Sequence, residues 1–483
     1  MGQTVGYFAW FAVYNLFISP LRHFPGPKLW AISQLPYARM YMSGLGHRKI
    51  LDMHQKYGYA VRVAPNQVSL VGPDAWKDTM GHRKYGQDEN GKDPVFYKAN
   101  IHSILGADRE DHARMRRVFS HAFSMQGMLE QEPLISRYID LLFERLKQNS
   151  NAGSKPVDVV KWYNYTTFDV VGDLAFGEPF GCLETSEYHP WVALIFDSVK
   201  ETMLAVLVRR IWPYLDTLGD VFRGKNRKMK RAERVELTNM KITKRMSLGV
   251  SRPDFMETMI TENQSGQKKM TMQEIRATTD TLIIAGSETT ATALSGVTFY
   301  LCKNPNVLAK LTDEIRSSFA SEGEVTLLSV QKLKYMLAVL DESMRLFPPF
   351  PGPLPRSAKA GGDVICGKFV PSGTVLNIWQ WAMYHHPDNF TMQDSFVPER
   401  WLGDKRFIND RKDAFQPFSH GARNCIGRNL AYAEMRLILA RLLWNFNIKL
   451  AEESEHWDES SMTYTMWQKG PLHVYLTPRQ VEE

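Results

Sequence analysis

Phe418-Ser-His-Gly-Ala-Arg-Asn-Cys-Ile-Gly427 sets a single cysteine, Cys425, between two glycines, Gly421 and Gly427, with Arg423 two positions ahead of it. Glycine at those places permits a tight turn with positive φ and a close backbone approach to something flat. The segment that follows, Ile426 to Phe446, carries apolar residues at Leu430, Ala433, Leu437 and Ala440 and is expected to be a helix. The sulfur is therefore expected at a helix N-terminus. Unpaired N–H groups and the positive end of the dipole there favour a thiolate, able to act as nucleophile or metal ligand.

Four readings compete for this sulfur. A buried free cysteine is the commonest fate of an isolated Cys. Zinc would need a CxxC or HxxxH pair, and none lies within reach. A catalytic thiol needs a histidine base, and the sequence does not assign that role to His420. The fourth is an axial thiolate on haem iron, a ligand that pushes electron density toward O–O cleavage. The ten residues match the haem loop FxxGxRxCxG throughout, and on them the chain resembles the cytochrome P-450 monooxygenases.

Length and composition set the frame around that loop. The 483 residues are 44% apolar, enough for a large core, and show no repeat, low-complexity tract or long linker. One domain is the simplest reading. Four irregularly spaced cysteines, Cys182, Cys302, Cys366 and Cys425, argue against a disulfide framework and fit a reducing compartment. A formal charge of +7 favours an acidic partner or an anionic membrane surface. The densest basic run, Arg223 to Arg234, has no interleaved aromatic residue, so it reads as a solvated helix face or a lipid contact and not as a nucleic-acid patch.

Val5 to Ile18 is uncharged, holds Tyr7, Trp10 and Tyr14, and is followed by Arg22, His23 and the rigid Pro25-Gly26-Pro27. It falls short of the roughly 20 apolar residues of a membrane span and lacks the basic start of a secretory signal. Residues 1–20 are therefore expected to form a short or partly inserted anchor, or a buried first helix, with residues 21–483 forming the body. The basic flank puts that body on the cytosolic side. From Tyr37 to Val71 the pattern shifts toward short strands, with a hairpin of Ala60–Ala64 and Gln67–Val71 around Pro65-Asn66. Asp111 to Ser120 reads as a basic helix with Met115, Val118 and Phe119 on its apolar face. Phe168 to Gly177 reads as a core helix ending at glycine.

The longest helix is expected over Thr271–Leu301, opened by the capping box Thr271-Met-Gln-Glu274. Ala285-Gly-Ser-Glu-Thr-Thr290 sits in its middle. A carboxylate and hydroxyls there are costly unless partnered. Thr289 could simply bond a carbonyl one turn back, or the stretch could be a groove where O2 binds. Lys334 to Leu346 is a third helix, stopped by Pro348-Pro349, with Glu342 and Arg345 on one face. Pro351 to Arg356 is too proline-rich for helix. Asp404 to Asp413 has no periodicity and reads as an irregular surface loop, and Leu472 to Thr477 alternates like a strand.

The resemblance covers about the whole chain, with Ala285–Thr290, Glu342-x-x-Arg345, Pro398-Glu-Arg400 and the cysteine loop in the family's order. It implies a mainly α, triangular helical fold with a minor β region around a buried haem. It implies haem b (iron protoporphyrin IX) bound through Cys425, beside Phe418, with electrons from NADPH through a flavoprotein reductase. It assigns proton delivery during oxygen activation to Glu288 and Thr289. It also implies a structural charge network of Glu342, Arg345 and Arg400. Two propionates on a buried macrocycle need cations, and Arg116, Arg356 and Arg423 are the candidates. His112 stands where the family has a tryptophan and can still donate to a carboxylate. By family position the pocket draws on Asn100–Ile104, Ile283, Ala285, Ser287, Phe350–Leu354 and Tyr464–Met466, mainly apolar, which implies a lipophilic substrate. The N-terminal text resembles filamentous-fungal, microsomal members that tailor terpenoid or polyketide secondary metabolites, which implies the endoplasmic reticulum membrane. A desaturase or C–C cleaving enzyme would share every motif, and a haem sensor would not need Glu288 and Thr289.

Overall fold

The computed structural model describes residues 2–84, 86–212, 225–248, 252, 254–261 and 269–480. Helix α1 (Gly2–Val13) holds no charged residue and runs into an irregular turn through His23. Helices α2 (Leu35–Met42) and α3 (Gly46–Tyr57) follow, where the sequence reading expects short strands. The reason is periodicity: Tyr37, Met40 and Tyr41, then Ile50, Met53 and His54, are buried at i, i+3, i+4. The expected hairpin forms from β1 (Ala60–Ala64) and β2 (Gln67–Leu70), antiparallel, with a register shift between Arg62 and Ala64. Buried Arg62 donates to the Asn15 carbonyl at 2.7 Å and to Asn15 Oδ1 at 2.6 Å, tying the N-terminal segment to the sheet.

Past β3 (Gly91–Lys92), helix α4 (Arg109–Phe119) starts at Asp108, whose side chain accepts the Asp111 N–H. Then come α5 (Met125–Ser150), β4 (Val157–Asp158) and α6 (Val159–Phe176), which stops at Gly177 with φ +73°. Every α6 residue except Lys161 is buried, the mark of a central helix. Helices α7 (Pro190–Ile211) and α8 (Lys225–Ser247) lead to α9 (Met272–Lys303). Of the basic run Arg223–Arg234, the start lies outside the described residues and the rest opens α8.

Helix α9 has the predicted capping box and runs for 32 residues without interruption. It lies against α6 so closely that a Cβ on Gly286 would stand 3.0 Å from Val171. Gly286 thus serves helix packing and does not break the helix. Helices α10 (Pro305–Ser318) and α11 (Lys334–Leu346, the predicted span) precede β5 (Arg356–Ser357), β6 (Asp363–Ile365), β7 (Lys368–Val370) and β8 (Val375–Asn377). The chain closes with α12 (Arg428–Asn445), β9 (Phe446–Leu450), the hairpin β10 (Met462–Tyr464) and β11 (Met466–Gln468), and β12 (His473–Pro478).

The main sheet is ordered β1-β2-β8-β5-β3, with β2 and β8 parallel. A second sheet, β4-β12-β9, ties the end of the chain to α6 and α12. One apolar core fills the space between α4, α5, α6, α9, α11 and α12, and another lies under the main sheet. This is the mainly α architecture with a minor β region that the sequence implies.

Candidate functional site

Cys425 precedes α12 by three residues, with Gly427 as N-cap, so the helix starts slightly later than its apolar pattern suggests. The turn that carries it is pinned: the Cys425 N–H donates to the Phe418 carbonyl at 2.8 Å. Gly421 has φ +79°, and a Cβ there would meet the Met80 carbonyl at 1.8 Å, so only glycine fits. The residue is exposed to solvent, yet protein crowds its sulfur. Burial pushes the thiol up from its ordinary range, while the Gly427 N–H, Arg116 and Arg428 pull it down. Phe418 is partly buried and packs 5.1 Å from the Tyr432 ring.

Around the loop lies a surplus of positive charge. Arg356 is 3% exposed and its Nε has no hydrogen-bond partner. Arg423 pairs with Glu89 at 2.7 Å and donates to the Ala107 carbonyl. Lys92, which sequence reasoning did not single out, stands over the Tyr97 ring at 4.5 Å. Burial, Arg356 and Arg423 hold its ammonium well below the usual lysine range. His112 is buried and pushed down to about 3 by burial and by Arg423, Lys92, Arg116 and Arg356, so its imidazole is neutral. Arg116 is turned to the cysteine loop, donating to the Asn424 carbonyl at 2.7 Å and to Asn424 Oδ1 at 2.5 Å. Among the described residues, Glu89 is the carboxylate that both Arg356 and Lys92 face. The small cleft between Arg356, Arg423, Thr79 and Asn90 opens among them.

On α9 the two faces divide. Ala285 is exposed and Thr289 half-buried in the middle of an otherwise buried helix, so that face opens onto internal space. The Thr289 hydroxyl donates to the Ala285 carbonyl at 2.5 Å, the local bond anticipated from sequence. Ile283 and Ser287 are fully buried, with Ser287 bonded to the Ile283 carbonyl, which takes them out of the expected pocket lining. Glu288, the residue before Thr289, is buried and forms an ion pair with Lys469, which also donates to Thr292 Oγ1 at 2.8 Å. Nothing local to α9 signals Lys469, which lies 181 residues away.

Beneath these elements, Arg345 holds Glu342 in a bidentate pair at 2.9 Å and 2.9 Å, and Arg400 Nε reaches the same carboxylate at 3.3 Å. Trp401 Nε1 and the Val397 N–H also donate to it. The predicted trio has a fourth member: Asp410 pairs with Arg400 and is fully shielded, so the stretch read as a surface loop is locked down at that point.

The residues fit a haem. Among the described residues no cluster of three His, Cys, Asp or Glu could hold a metal ion, so an ion on Cys425 would have to bring its own equatorial ligands. A dianionic macrocycle meets the unpartnered Arg356 and the surplus cations.

Comparison with known proteins agrees. The family model described as Cytochrome P-450 matches residues 24–475. The chain is similar to a trichothecene C-15 hydroxylase of Fusarium sporotrichioides, 49% identical over 482 residues, 99% of this chain and 97% of the relative. It is 43% identical over 477 residues to the cytochrome P-450 monooxygenase astA of Talaromyces wortmannii, covering 97% and 94% of the two chains. It is 42% identical over 476 residues to an averantin hydroxylase of Dothistroma septosporum, covering 97% and 89%.

Proposed function

Because the chain belongs to the cytochrome P-450 family of haem-thiolate monooxygenases, we propose that Cys425 is the thiolate ligand of its haem and that the enzyme hydroxylates a lipophilic terpenoid or polyketide secondary metabolite. The observation that carries the assignment is the pinned Cys425 sulfur beside a group of cations that, among the described residues, shares the one carboxylate of Glu89. Family membership brings a redox partner that supplies electrons, and for this chain we take it to be an NADPH-dependent flavoprotein reductase. When bound, the haem supplies the oxygen activation and C–H oxidation; the protein binds, orients and meters protons.

In this reading Arg356 and Arg423 hold the propionates and Lys92 adds charge from the β3 side. Arg116 steadies the cysteine loop through Asn424. His112 stays neutral and keeps one N–H to donate. Thr289 Oγ1 carries a proton on the open face of α9, and Glu288 stands behind it as the ionisable member of the pair. Relatives named for trichothecene and averantin hydroxylation support hydroxylation in a biosynthetic pathway.

We place the enzyme at the endoplasmic reticulum membrane with its body in the cytosol. Val5, Tyr7, Phe8, Trp10, Phe17 and Ile18 are exposed, which supports membrane contact. At ~1.5 Å per residue, α1 covers about 18 Å of a hydrocarbon core of ~30 Å. No described helix is long and apolar enough to cross a membrane, so contact or partial insertion is the form proposed. The test is turnover with a reductase, NADPH and isotopically labelled O2 against a panel of trichothecenes and averantin. One labelled oxygen atom per product molecule is expected. A product that is dehydrogenated or cleaved without label would replace hydroxylation by desaturation or C–C cleavage.

A further inference from the structure

The buried pair between Glu288 and Lys469 is not explained by packing. Its members are 5% and 3% exposed. Taking both charges out of water is costly, and such pairs are often no more stable than an apolar replacement. Lys469 Nζ contacts Glu288 Oε1 and Thr292 Oγ1, and the Thr292 hydroxyl reaches the same Oε1 at 3.4 Å. The other carboxyl oxygen, Oε2, is buried without a hydrogen-bond partner. Glu288 is thus held by one oxygen and left free at the other.

Lys469 directly follows β11 in the C-terminal hairpin. The turn of that hairpin, Thr465, has φ +79° and lies against the Pro351-Gly352 stretch, where a Cβ on Gly352 would stand 3.1 Å from Thr465. Tyr41 and Thr465 share a hydroxyl hydrogen bond of 2.5 Å, so the hairpin is also anchored to α2. One rigid element therefore touches the segment leading to Arg356 at its tip and the acid of α9 at its base.

We infer that Lys469 is a positioning residue for oxygen activation: it holds the Glu288 carboxylate by Oε1, leaves Oε2 unpartnered, and so fixes where that acid stands for passing a proton toward Thr289. This rests on the proposed role of Glu288 and Thr289.

The experiment is a double-mutant cycle on the full-length, haem-loaded protein with Lys469→Met, Glu288→Gln and the double variant. Three readouts are taken: urea unfolding midpoint, infrared carboxyl bands, and product formed per NADPH. Lys469→Met should lower the midpoint and produce a protonated-carboxyl band, because a buried acid without its cation takes up a proton. The double variant should lose that band and regain the midpoint of Glu288→Gln or better. Product per NADPH should fall roughly tenfold on Lys469→Met in the native background, and not fall further in the Glu288→Gln background. Equal losses in both backgrounds, or no new carboxyl band, would overturn the inference and leave Lys469 a strut. Unchanged turnover in Glu288→Gln alone would instead remove Glu288 from proton delivery, and the inference with it.

Discussion

Two groups of buried arginines flank the cysteine loop, and they are built on opposite terms. Arg345 and Arg400 meet two carboxylates, Glu342 and Asp410, and the pairs are completed by backbone carbonyls and Trp401. Among the described residues, Arg356, Arg423 and Lys92 share the carboxylate of Glu89, and Arg356 Nε has no partner. A charge-balanced cluster explains itself as structure: its desolvation cost is repaid within the protein. A cluster with surplus charge is complete only with an anion, and the two propionates of a haem supply it in the proposed reading. The contrast separates what holds the fold from what waits for the cofactor.

The balanced group should break hardest. Glu342→Ala leaves two guanidiniums buried against one carboxylate and is expected to cost about 3–5 kcal/mol, read as a lower urea midpoint with or without haem. An unchanged midpoint would mean the network contributes nothing to stability.

Glu434 sharpens the comparison as a buried acid with no cation beside it among the described residues. Burial pushes its carboxyl up to about 8, against a contact to Thr290 that pulls it down. The folded state keeps a proton that the unfolded chain releases near 4.5, so the folded state is the one that binds more protons across that interval. Stability should therefore fall as pH rises from about 4.5 to about 8, by on the order of 2–4 kcal/mol. Glu434→Gln should flatten that slope, measured as the difference in midpoint between variant and native protein at pH 5 and pH 9.

The surplus group should respond with the opposite signature. Arg356→Met should leave the haem-free protein as stable as before or more so, while haem affinity drops by about 1.5–3 kcal/mol, roughly 10- to 100-fold. Absorbance-monitored transfer of haem to an acceptor protein reads this directly. Lys92→Met should do the same on a smaller scale, about threefold. A fall in haem-free stability in either variant would place that cation with the structural group.

Much of this was legible in the sequence because it is local. The capping box at Thr271, the helix Lys334–Leu346 and the Glu342-x-x-Arg345 pair are set by residues within one or two turns of each other. The Gly421 turn is local in its positive φ, although the Met80 carbonyl that also demands glycine there comes from far along the chain. The partners were not legible. Lys469 reaches Glu288 from the far end of the chain, Asn424 takes Arg116 across 308 residues, and Lys92 joins Arg356 only through the pairing of β3 with β5. Asp410 lies in a stretch whose charged, aperiodic composition hides one side chain aimed inward. The helices α2 and α3 were missed because their buried spacing is mixed with polar residues such as His54.

The central claim, that Cys425 ligates haem iron, is tested most directly by the reduced carbon-monoxide difference spectrum of the full-length protein beside that of Cys425→Ala. The native protein should show the red-shifted Soret band of thiolate ligation, and the variant should lose it. Retention of that band in Cys425→Ala, or a native band of the histidine or neutral-thiol type, would contradict the assignment.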